Sequence, residues 1–166
     1  MKKSFFHTLL IAAFIAVGTF SATASAAEQR EYSSAQLGEA KAYYIENMVI
    51  GFDVGRRLAG GKPLTGRQAA DVGTACEKWL NDELIPFLNA NGILGDWVSM
   101  QFDADIRDIN RRIAKVKKFD EFMQILKETM ELTRKHYPVF SAKTDTPEGA
   151  ELMGKLQRRL MQAIMK

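Results

Sequence analysis

The sequence predicts an all-α protein: an antiparallel bundle of four to five amphipathic helices behind a cleaved signal peptide. Three observations carry this. Beyond residue 33, apolar residues recur every three or four positions. Glycines, prolines and the pair Asn91-Gly92 separate the segments patterned in this way. Strand signals are weak, with little strict alternation and no Asn-Gly turn between two alternating runs.

The leader comes first. Lys2 and Lys3 give a short positive start, and residues 5–20 are mostly apolar. Small residues follow, and Ala24-Ser25-Ala26 offers the A-x-A site a signal peptidase needs. Cleavage after Ala26 is expected, with Ala24 as the alternative. An uncleaved membrane anchor is disfavoured, because the run is short for a span of about 20 apolar residues. The expected destination is the periplasm or the medium of a bacterium. Removing 26 of 166 residues leaves 140, enough for one domain with a core of its own. The expected organisation is a leader over 1–26, a loosely held arm over 27–33 and a helical domain over 34–166.

The first helix is expected over about 34–59, with Leu37, Ala40, Tyr44, Met48, Phe52, Gly55 and Leu58 on one face. Gly60-Gly61 stops it. Thr65 and Gln68 have capping-box spacing and open the second helix. Its stripe is Val72, Cys76, Leu80, Leu84 and Phe87, and Pro86 demands a kink near Ile85. Asp96 is expected to cap one long third helix over 97–117, carrying Phe102, Ile106, Ile109, Ile113 and Val116. A fourth runs over 120–137 and Pro138 ends it, leaving 139–146 as loop. Thr146-Pro147-Glu148 starts the last helix, with Leu152, Leu156, Leu160 and Ile164 facing inward. The expected core draws on these stripes, with Met48, Phe102, Ile113, Leu126 and Leu156 among its members.

Charge is asymmetric. Without the leader the balance is +1, with net −5 over 27–106 and net +6 over 107–166. Packing of one half against the other accounts for this as well as an anionic partner does. The single cysteine, Cys76, excludes an internal disulfide in a compartment that permits them. It is expected to be a buried small hydrophobe, with an intermolecular disulfide as the rarer alternative.

Gly51 and Gly55 lie four apart on the first helix. Glycine inside a helix implies either close packing, here against Trp79 or Trp97, or a groove for a ligand, and packing is the ordinary reason. His136 is the one histidine outside the leader. With Met48 it could ligate haem, as in bundles resembling cytochrome b562. Its place beside Lys135 at a helix end argues instead for a surface histidine. Paired Glu-x-x-His motifs for a di-iron site are missing, and one cysteine with one histidine makes a structural zinc site improbable. Asp103, Asp105 and Asp108 are expected to pair with Arg107, Arg111 and Arg112 rather than hold a cation. No metal or cofactor is therefore expected.

No G-x-S-x-G, P-loop, H-E-x-x-H or dinucleotide fingerprint occurs, so catalytic residues are not assigned and an enzyme with a nonstandard site is the third reading. The last helix sets Lys155, Arg158 and Arg159 beside Met161 and Met165, a basic, methionine-rich face suited to a partner or an anionic membrane surface. The leading expectation is thus a non-enzymatic factor that binds another envelope or secreted protein, as adaptor, chaperone or inhibitor. A haem- or small-ligand-binding bundle is the alternative, and nucleic acid is not an expected partner. A cavity beside Gly51 and Gly55 would turn the balance toward a ligand.

Overall fold

The computed structural model describes residues 30–165. The expected leader, its cleavage site and residues 27–29 lie outside that range. All regular structure among the described residues is helical. No helix among them is long and apolar enough to cross a membrane.

Helix α1 spans Ser34–Leu58. Ser33 caps it through a capping box with Gln36, and it ends before Gly60, whose φ of 80° only glycine adopts freely. Helix α2, Gly66–Trp79, opens on the Thr65/Gln68 capping box expected from sequence. Instead of breaking at Pro86, the chain widens into a π-helical turn over Leu80–Leu84 and continues as α3, Ile85–Ala90. The amide of Ile85 reaches back to the carbonyl of Leu80, which eases the turn ahead of a residue with no N–H to give. Leu80, Leu84 and Leu88 all remain buried.

The expected third helix is two helices. Helix α4 covers Leu94–Met100 and α5 covers Ala104–Ile113. Asp103 causes the division, because its side chain accepts from the amides of Asp105 and Ile106 and starts a new helix there. Asp96 is no cap: it lies in the first turn of α4 and pairs with Arg30 at 3.1 Å. Helix α6 spans Phe119–His136. The segment expected to be loop contains a further helix, α7, Pro138–Thr144. Proline ends one helix and, with its φ already set, begins the next at the first helical position. Helix α8, Pro147–Ile164, starts at the Thr146 cap as expected.

Residues 30–33 are not loosely held. Tyr32 packs on the core, and Arg30 lies over the Tyr137 ring, 4.6 Å from its centre. The Arg30 carbonyl sits so close to Gly95 that a Cβ there would overlap it.

Helix α1 packs on α2, α2 on α8, and α5 on α6. The buried side chains form three clusters rather than one. The largest joins α1, α2, α3, α4 and α8 around Tyr44, Cys76, Leu80, Trp97 and Leu160. A second gathers Val54, Ile109, Phe122, Ile125 and Leu126. A third is small: Met100, Ile106 and Tyr137. Met48, Phe102, Ile113 and Leu156, expected in the core, are only partly buried. Met48 and Ile113 face the space between the clusters.

Candidate functional site

A cavity of about 210 Å³ opens where the three clusters meet. Helix α1 supplies Tyr44, Asn47, Met48 and Gly51 to its wall, spaced as one helical face. Trp97 and Met100 come from α4, and Ile106, Asn110 and Ile113 from α5. Phe122, Leu126, Thr129, Met130, Thr133 and Arg134 descend along α6, while Phe140, Ser141 and Thr144 come from α7. Gly51 helps to make the space: a Cβ added there would meet nothing within 4 Å. Trp97 is fixed edge-on against Tyr44, with ring centres 5.3 Å apart. Burial, and secondarily the nearby Cys76 thiol, push the Tyr44 phenol well above its ordinary pKa, so it is neutral at physiological pH.

The apolar wall carries a polar strip. Arg134 and Asp145 pair across 3.0 Å at its edge. Thr129, Thr133 and Thr144 each donate their hydroxyl hydrogen to the carbonyl four residues earlier, at 2.9, 2.8 and 3.0 Å. Asn47 turns its amide N–H onto Tyr43, and Gln101 onto Trp97, with the same spacing.

A second constellation centres on Asp103. Its Oδ1 accepts the amides of Asp105 and Ile106, and its Oδ2 meets Nδ1 of His136 at 3.0 Å and the Tyr137 hydroxyl at 3.1 Å. Burial raises the Asp103 pKa, but the bonds from His136, Ile106, Tyr137 and Asp105 outweigh it and hold the carboxyl below its ordinary value. Tyr137 is pushed up to about 12, by burial first and then by its bond to Asp103. Asp103, Asp105 and His136 offer ligand atoms within 4.8 Å of one another. Both Asp103 oxygens are already engaged, however, which leaves Nε2 of His136 and the Asp105 carboxylate, 4.0 Å apart. Two donors fall short of the three or four that a protein zinc site uses. The cluster instead joins the start of α5 to the end of α6 and the start of α7.

His136 is therefore not the surface histidine expected from its neighbours. Its side chain is only 25% exposed, because Asp103 draws it inward. Asp103 in turn pairs with His136 rather than with an arginine, while Asp108 does pair with Arg111, at 3.3 Å. Met48 lines the cavity but His136 does not, so the pair considered for haem is not gathered on one pocket. The close packing expected at Gly51 gives way to open space, and Gly55 is buried outside the cavity wall.

On α8, Met161 is buried and unavailable to a partner, because it belongs to the largest cluster. Lys155 pairs with Glu151 at 2.7 Å and Arg159 with Glu83 at 3.1 Å, while Arg158 and Met165 are exposed. Sequence reasoning missed the contribution of α7 and the strip on α6. Thr129 and Thr133 carry a signal that could have found the strip: two hydroxyls a turn apart, beside Leu126 and Met130 on an inward face.

No protein-family model matches this chain, and no curated protein or solved structure matches it either.

Proposed function

We propose that this chain is an exported helical bundle that takes a small, mainly apolar molecule into the cavity beside Gly51. The carrying observation is the cavity itself, walled by five helices and kept open where α1 lacks a side chain. An interior packed to ordinary density leaves few voids larger than a water molecule, so a space of this size invites an occupant. A glycine inside a helix costs roughly 1 kcal/mol against alanine. No neighbour requires that glycine at position 51, so the room it leaves is the physical reason for it. Export rests on the leader pattern of residues 1–26.

This reading displaces the protein-binding one because the basic, methionine-rich face of α8 is partly engaged within the chain. The test is calorimetric titration of the purified protein with toluene and p-cresol, repeated on Gly51→Leu. Saturable binding of either probe that is lost in Gly51→Leu, with the helical circular dichroism retained, supports the proposal. Met130→Trp fills the same space from α6 and should act alike. No saturable binding, or binding indifferent to both substitutions, refutes it.

A further inference from the structure

Resting on that reading, we infer that the occupant is an uncharged, single-ring molecule carrying a hydroxyl or N–H hydrogen-bond donor. Size sets the first limit. A dry engineered cavity of about 150 Å³ accepts benzene. The 210 Å³ here holds a ring with one or two small substituents.

Charge sets the second. Arg134 and Asp145 are the charged residues on the wall, and they neutralise each other at 3.0 Å. An ionised ligand would enter a largely apolar space without a counterion of its own, and that is costly.

The third limit comes from the direction of the hydrogen bonds. A threonine hydroxyl has one hydrogen and two lone pairs. Thr129, Thr133 and Thr144 each give that hydrogen to their own helix, so acceptor capacity is what they retain. Asn47 and Gln101 likewise direct an amide N–H to their own backbone and keep a side-chain oxygen. A wall rich in acceptors is matched by a ligand that donates. Sulfur and aromatic faces from Met48, Met100, Trp97 and Phe122 suit a flat ring on the apolar side.

The experiment compares probes of nearly equal size on the purified protein: toluene, 4-methylanisole, p-cresol, benzoate and benzylammonium. The expected result is p-cresol binding roughly tenfold more tightly than toluene or 4-methylanisole, as one net hydrogen bond allows. The two ions should bind weakest. The double variant Thr129→Val/Thr133→Val should close the gap between p-cresol and toluene. Toluene or 4-methylanisole matching p-cresol, or either ion binding best, overturns the ligand class and leaves the cavity reading standing. A gap that survives the double variant overturns the role given to the threonines. Failure of every probe removes the cavity reading as well.

Discussion

The carbonyl of Arg30 occupies the space that a side chain at residue 95 would fill. The same arginine reaches Asp96 at 3.1 Å and covers the ring of Tyr137. Gly95→Ala should therefore lift the arm off α4. The expected cost is about 1–3 kcal/mol, as for other overpacked sites. Arg30→Ala should add little in the Gly95→Ala background, since the contact it removes is already gone. Urea unfolding of the two single variants and the double variant reads this directly. Full additivity would show the arm still in place.

Gly51→Ala should do the reverse. The added methyl group meets no atom, and alanine is the better helix former. Stability should rise by up to about 1 kcal/mol. A thermal midpoint below that of the unsubstituted chain would mean that Gly51 has a backbone role not visible in its surroundings.

Asp103 gives the chain a defined sensitivity to acid. Its pKa is held below the unfolded value, so its contribution to stability is present at neutral pH. That contribution begins to fade as pH falls to about 4, the range of an unfolded aspartate, and is gone below the folded value. Asp103→Asn keeps a capping side chain but loses the charge facing His136 and Tyr137. The urea midpoint of the variant should fall at pH 7 and approach that of the parent toward pH 3. A constant difference across that range would contradict this account.

Cys76 should be inert in the folded protein. It is 1% exposed, and burial pushes its thiol up to about 12. A thiol reagent at pH 8 should label it only through unfolding, so labelling should accelerate in step with urea. Sedimentation should be the same with and without reductant, because a buried thiol cannot bridge two chains. Prompt labelling in native buffer would place the thiol at the surface.

Local patterns were legible in the sequence wherever a single helix face or cap determined the outcome. Thr65 with Gln68, and Thr146 with Pro147, mark helix starts that the fold uses. Two kinds of feature were not legible. One is competition between equivalent signals: Asp96 and Asp103 both suit a cap, and the bonds Asp103 makes to its own amides decide the matter. The other is the arrangement of stripes in space. Met48, Ile113 and Thr133 look like ordinary inward positions, and only the separation of the core into clusters turns them toward a void. Pro138 was read as an ending because periodicity stops there, although the same ring geometry favours a beginning.

The widened turn over Leu80–Leu84 has a bearing on the history of the chain. A π-helical turn holds one residue more than the α-helical turn it replaces. Removing a residue there would restore a regular pitch but rotate everything beyond it by about 100°. Leu84 and Leu88 would then swing out of the interior that they now fill. The segment leading to Pro86 thus fixes the spacing of this stretch of sequence: neighbouring surface loops can gain or lose residues, but here the count is locked by what lies on either side.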